Sequence, residues 1–548
     1  MKSAKNNIIF TAGAVLAVLA VLPYRLFDLD RFFVPKELIL HIFAMAMAIS
    51  VLWRADEINI EPADMALGAY LILSALGAIA APDIWLAGRA LALTFSGAAI
   101  FWALRASGSE TRRTFIAAAA AAAVIAASAS LAQAYGFTNH LFSINRIPGG
   151  TMGNRNFVAH IAAVCAPALL FTAIRAKSRL QTVIWTAGIM MITAVLVLTR
   201  CRAALLGLAA GGSVMIYGLW RLRSATPLIR MKILLGAAAL GLLCAVTLPN
   251  KLSWKSDSPY IDTVTRIAEY KSGSGHSRIM QYTRSLRMTA DHPFLGVGTG
   301  NWALVYPKYM KRQDGSIDRN TGRALNPWPS SDWIAVLSER GIPAFLSLIL
   351  VFLLILKNIY DTEKAAGERR LEGYTLAAVL ISGAVVACFD AFLLLPASSF
   401  LFWGMAGALV PPGIKKLSFS LSRKTSRLLA CVTFILFCAA ILRSSEQITA
   451  MAVYTGADSR SDIEKAASLD PGNARIKARL KSISRRRKHK RKAVQPIPVE
   501  KSTDVAVTET VPENGTEQPA YTPAENDAGA YAPEPPAAGQ DEAASTEK

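Results

Sequence analysis

Long apolar runs recur along the chain, each close to the roughly 17–25 residues that a helix needs to cross a hydrocarbon core about 30 Å thick. They fall at about 7–24, 37–53, 65–81, 88–105, 114–135, 157–175, 181–199, 203–220, 232–249, 332–356, 373–393, 397–412 and 427–443. The pattern predicts an all-α polytopic membrane protein with about 12–13 transmembrane helices. One large polar insert, residues 250–331, interrupts the series after the ninth run. The first run lacks a small-residue cleavage site before Pro23-Tyr24-Arg25, which argues against a removed signal peptide.

Three parts follow from this pattern. Residues 1–445 form a membrane unit that contains the insert, and residues 446–484 a short helical piece. In that piece, Ile463 to Ala474 resembles the second helix and exit turn of a tetratricopeptide repeat. A single such unit cannot bury its own apolar face, so it is either a remnant or a docking element for the membrane unit. Residues 485–548 open on the basic run Arg485–Lys492. They continue as an acidic tail rich in Pro, Ala and Glu, with too few large hydrophobes to fold.

Composition agrees: 53% of residues are hydrophobic and 18% charged, where soluble domains are about one quarter charged. Lys and Arg collect in alternate short loops, such as Arg105/Arg112/Arg113 and Arg221/Arg223/Arg230/Lys232. By the positive-inside rule those loops are cytoplasmic, and the insert and C-terminus lie outside. The formal net charge is +21. Cytoplasmic anchors against anionic lipid account for most of it. The basic run falls on the lipid side too and implies no nucleic-acid partner. The cations of the insert (Lys251, Lys255, Arg266, Lys271, Arg278 and others) are not covered by that rule, and they point to an anionic substrate at the outer face. The six cysteines sit in or beside apolar runs without metal-ligand spacing, so no metal site or redox role is expected.

Four polar features interrupt the hydrophobic frame. Gly149-Gly150-Thr151-Met152-Gly153-Asn154-Arg155-Asn156 can present backbone N–H groups to an anion, or can simply cap the sixth helix near Asn156. Arg200 and Arg202, at the join of the seventh and eighth runs, call for an anionic ligand or for lipid phosphate. The planar guanidinium fork suits a diphosphate. In the insert, Ser277–Thr289 reads as an amphipathic helix with Arg278, Tyr282, Ser285 and Thr289 on one face, stopped at Asp291-His292-Pro293. Gly296-x-Gly298-x-Gly300-Asn301 follows as a close-packing loop; no strand precedes it, so it is not a dinucleotide fingerprint. Asp390, at the end of the eleventh run, either pairs with an arginine or orients an acceptor, whereas Glu339 beside Arg340 reads as structural.

Taken in order, Gly150 to Phe157, Thr199-Arg200-Cys201-Arg202-Ala203, Ser277-Arg278, Pro293-x-x-Gly296-x-Gly298-x-Gly300-Asn301, Ser338-Glu339-Arg340-Gly341-Ile342 and Asp390 resemble the successive signatures of the O-antigen ligase/polymerase family over residues 1–445. The resemblance implies a GT-C-like fold in the bacterial inner membrane with a large periplasmic loop. It implies an inverting glycosyltransferase, independent of metal and cofactor, that works in cell-surface polysaccharide biosynthesis. The donor would be an undecaprenyl-diphosphate-linked glycan, and the acceptor lipid A-core, a growing polysaccharide or a protein. Arg202 and Arg278 match the arginines thought to hold the diphosphate, with Arg200, Asn154, Asn156, Tyr282 and Ser330 as further substrate-binding candidates. One position departs from the pattern: Ser330 stands where the family usually has a histidine, and serine is no base near neutral pH. Asp390 or Asp332 would then activate the acceptor. A polymerase, or a non-catalytic glycan exporter, is the alternative that this departure leaves open.

Overall fold

The computed structural model describes residues 2–54, 57–222, 228–254, 256, 258–265, 273–310, 318, 321–362, 368–410 and 419–493. The acidic tail beyond Ala493 and the insert cations Lys255, Arg266, Lys271, Lys311 and Arg312 lie outside them. The first nine apolar runs form α1 (Lys2–Leu19), α2 (Val34–Leu52), α3 (Pro62–Ile79), α4 (Ile84–Arg105), α5 (Ser109–Ala134), α6 (Arg155–Ile174), α7 (Arg179–Thr199), α8 (Arg202–Arg221) and α9 (Leu228–Thr247). The insert carries α10 (Pro259–Thr265), α11 (Gly273–Asp291) and α12 (Trp302–Val305). The remaining runs form α13 (Asp332–Thr362), α14 (Glu368–Phe389), α15 (Pro396–Leu409) and α16 (Arg423–Thr455), and α17 (Arg460–Leu469) and α18 (Ala474–Ala493) complete the chain.

The structure is an all-α bundle in which eleven of the described helices are long and apolar enough to cross a membrane, fewer than the 12–13 expected. The two that fall short are the first and the twelfth. Only Asn7–Leu19 of α1 is apolar, and α15 has 14 residues, every one of them buried. A helix sealed inside protein has the same apolar composition as one facing lipid, so hydropathy alone does not separate the two. Besides the helices, β1 (Glu57–Ile60) pairs antiparallel with β2 (Phe419–Ser422), Glu57 opposite Ser422.

Small residues let the helices approach closely. A Cβ at Gly211 of α8 would lie 2.5 Å from the Ala378 carbonyl of α14, and one at Gly407 of α15 would lie 2.1 Å from Phe101 O of α4. Alternate reversals gather the functional loops on one face. There the Arg31 guanidinium donates to the carbonyls of His140 (2.9 Å) and Phe142 (2.7 Å). Asn301 exchanges hydrogen bonds with the Asp83 backbone (2.9 and 3.1 Å), and Arg323 donates to Gly472 O (3.1 Å). The insert and the C-terminal helices therefore share a face of the bundle.

The glycine-rich loop is a latch between the insert and α13. Val297 and Gly298 donate to the carbonyls of Ser338 and Glu339 (2.9 and 3.1 Å), and Ile342 donates to Pro293 O (2.8 Å). Glu339 closes the latch by accepting from the N–H groups of Gly300 (2.9 Å) and Trp302 (3.2 Å). The local structural role expected of Glu339 is what the geometry shows. Gly341 interrupts α13 at φ 80°, and a Cβ there would fall 2.3 Å from Phe294 O, so glycine is required by both conformation and space. Next to it Arg340, 1% exposed, donates to Ser74 Oγ (3.1 Å) and Thr94 Oγ1 (2.8 Å) and ties α13 to α3 and α4.

The C-terminal piece docks on this face and does not stand alone. α16 runs unbroken through position 445 to Thr455, past the boundary expected there. Ile463, Ala466 and Ile476 of α17 and α18 bury themselves with Leu29, Val34 and Met451. Asp470 accepts from Trp85 Nε1 (2.8 Å). The apolar face that one repeat-like unit could not cover is thus covered by the membrane unit.

Candidate active site

A cavity of about 130 Å³ opens on the insert face. Its walls come from Arg146, the start of α6, the α7–α8 reversal, α11, residues 326–330 and Asp390 after α14. The reversal is short because Arg200 takes a left-handed conformation (φ 55°) that ends α7, and Arg202 already opens α8. Both guanidiniums therefore reach one cavity. At the start of α6 the cap is Asn154, two residues before Asn156: its side chain accepts from Asn156 N–H (3.0 Å). Two helix N-termini, those of α6 and α8, thus end at the same cavity, each carrying a partial positive charge.

Five arginines (146, 155, 200, 202 and 278) and one carboxylate, Asp390, line this space. Trp254 orders part of the set. The guanidinium carbons of Arg155 and Arg200 lie 4.9 and 4.7 Å from its ring centroid, within the range of cation–π attraction. Arg200 also donates to Thr263 Oγ1 (2.9 Å). Arg278, in α11, differs from these. Its Nε is buried with no hydrogen-bond partner, an arrangement that costs free energy unless water or a ligand supplies an acceptor.

Asp390 lines the cavity as well. Its Oδ1 accepts from Ala391 N–H (2.9 Å), and its Oδ2 accepts from Asn156 Nδ2 (3.4 Å). Behind it lies His160, which the sequence reading passed over. Its ring is fully buried, with Nε2 3.8 Å from Asp390 Oδ2 and 3.4 Å from Cys201 Sγ. The signal available was the i, i+4 spacing of Asn156 and His160, which puts both on one face of α6. Burial pushes the Cys201 thiol up to about 11, which keeps it neutral and inert.

Seven of the nine residues expected to act here line the cavity: Asn154, Asn156, Arg200, Arg202, Arg278, Ser330 and Asp390. Tyr282 and Asp332 do not. Tyr282 stands behind the wall, its hydroxyl 2.7 Å from Ser330 O and 2.6 Å from Cys388 O, so it pins the insert to α14. Burial raises its phenol and holds it protonated. Asp332 is 1% exposed. Its Oδ2 accepts from the N–H groups of Phe392 and Leu393 (2.8 Å each), and its Oδ1 from Leu394 (3.2 Å). A carboxylate so engaged shapes the 390–395 turn and faces no acceptor. Ser330 does face the cavity, but both its hydroxyl and its N–H donate to Gln281 Oε1 (2.9 and 3.0 Å).

Among the described residues no group of three His, Cys, Asp or Glu side chains is placed to hold a metal ion. The positive charge in the cavity is guanidinium. No curated protein matches the chain. The stretch from the middle of α7 through the insert to the kinked first half of α13 contributes Arg200, Arg202, Arg278 and Ser330, and this region of the membrane protein, residues 187–349, matches the O-antigen ligase family model.

Proposed function

We infer that the protein transfers a glycan from an undecaprenyl-diphosphate carrier to an acceptor hydroxyl, at the periplasmic face of the bacterial inner membrane. The observation that carries this reading is the cavity itself: five arginines against one carboxylate, with the buried Nε of Arg278 lacking an acceptor. A diphosphate supplies that acceptor, and the guanidinium forks of Arg202 and Arg278 match its oxygens. The family match over residues 187–349 supports the same reaction class. The positive-inside pattern supports the sidedness.

In this reading the acceptor oxygen attacks the anomeric carbon as the glycosidic bond to the diphosphate breaks, with inversion. The acceptor proton passes to the Asp390 carboxylate, held in place by Asn156, and the departing carrier diphosphate gains one negative charge. Arg202 and Arg278 stabilise that charge where it develops. Asp390 is the acceptor-orienting group rather than Asp332, because Asp390 lines the cavity and Asp332, 1% exposed, does not reach it. Ser330, in the family's histidine position, acts through its bond to Gln281 as part of the wall. Surface glycan in a strain lacking the native gene tests the reading: complementation with Arg278→Ala or Arg202→Ala is expected to fail. Wild-type glycan with either variant would overturn it.

A further inference from the structure

A second cavity of about 280 Å³ opens on the same face. It shares only Pro327 and Trp328 with the first, so those two residues form the partition. Along α4 it reaches from Leu86 to Thr94, a depth of about 12 Å at 1.5 Å per residue. Leu86, Leu93 and Leu394 line this length. The rim carries Asp470, Asn473 and Ala474 from the turn between α17 and α18.

Its charge is opposite to that of the first cavity, with five carboxylates against three arginines. Those arginines are engaged: Arg89 bonds Glu37 (2.5 Å) and Asp30 (3.3 Å), Arg323 lies 3.6 Å from Asp83, and Arg475 has a partner as well. A phosphate or carboxylate ligand would meet repulsion here. An uncharged, hydroxyl-rich ring would meet no such repulsion, with the Trp328 and Phe33 rings (centroids 5.8 Å apart) for its apolar faces. The apolar depth suits a hydrocarbon stem.

We propose that this second cavity binds the acceptor, an uncharged sugar on an apolar stem, and that the α17–α18 turn is a specificity-determining wall of it. The proposal rests on the transfer reading above, since it assigns the acceptor half of that reaction. Carrier and acceptor would occupy separate chambers and meet at the Trp328 partition.

The test uses the full chain in lipid nanodiscs and two probes, undecaprenyl diphosphate and a decyl-linked neutral disaccharide. Ala474→Trp and Leu325→Trp fill the cavity from two unrelated walls, and unchanged melting temperatures show that both fold. Each is expected to weaken disaccharide binding at least tenfold and to leave undecaprenyl diphosphate binding within twofold. Arg278→Ala should do the reverse. The same disaccharide carrying a phosphate monoester should bind wild type at least tenfold less tightly. If wild type binds the diphosphate but the tryptophan variants leave disaccharide binding unchanged, or the phosphorylated probe binds equally well, this inference falls and the transfer reading stands. If wild type fails to bind undecaprenyl diphosphate, both fall.

Discussion

Replacing Asp332 with asparagine separates scaffold from chemistry at this site. The carboxylate satisfies three backbone N–H groups of the 392–394 turn, at 2.8, 2.8 and 3.2 Å. Asparagine has one acceptor oxygen. If that oxygen keeps the two shorter bonds, its amide NH2 confronts the Leu394 N–H, donor against donor. One buried unsatisfied donor costs about 1–3 kcal/mol, and losing the negative charge weakens the other two bonds. Asp332→Asn should therefore destabilise the protein by about 2–4 kcal/mol on that basis, while Asp332→Ala, which orphans all three donors, should cost still more. Asp390 has Ala391 N–H, a long contact from Asn156 and His160 at 3.8 Å to lose. Asp390→Asn should melt within about 1 kcal/mol of wild type yet transfer glycan at least tenfold more slowly. The assay is paired: thermal unfolding and single-turnover transfer of the purified variants. A stable Asp332→Asn protein that has lost transfer would reverse the two roles and refute the reasoning.

Three further outcomes follow. Gly341→Ala forces a side chain into φ 80° and against Phe294 O; unlatching the insert should cost at least about 2 kcal/mol and expose the glycine-rich loop to limited proteolysis. Ser330→Ala removes one hydroxyl bond to Gln281 and no base, so transfer should fall by no more than about fivefold, equivalent to about 1 kcal/mol; a loss of a thousandfold would give Ser330 a direct chemical role. Cys201, with its thiol pushed up to about 11 by burial, carries roughly one thiolate in a thousand at pH 8, and mass spectrometry should find it unmodified by maleimide in the folded protein and modified after unfolding.

Much of the frame was legible because it rests on local signals. A run of apolar residues reports its length directly, and Pro293 and Asp291 marked the end of α11 where it occurs. Arg200 and Arg202 were readable because charge at a helix junction needs a partner wherever the chain goes. What escaped depended on distant segments. α15 looks like a span because burial in protein and burial in lipid select the same residues. Asp332 looked reactive because its three donors come from residues some 60 positions away. His160 lies inside an apolar run and stands out only in the fold, where Cys201 and Asp390 come beside it. The second cavity is invisible in the sequence, since its rim comes from a repeat-like piece that read as either a remnant or a docking element.

The most direct test of the account is transfer by the purified protein from a radiolabelled undecaprenyl-diphosphate-linked glycan to added acceptor, with Arg278→Ala alongside. The Nε of Arg278 is unpartnered, so its loss breaks no hydrogen bond through that atom, and the variant should melt close to the wild-type temperature. Its kcat/KM should fall about 10–150-fold, the value of one charge-assisted hydrogen bond of about 1.5–3 kcal/mol made to the diphosphate. Equal transfer by the variant and wild type, or transfer by neither, would contradict the assignment of this cavity to the carrier diphosphate.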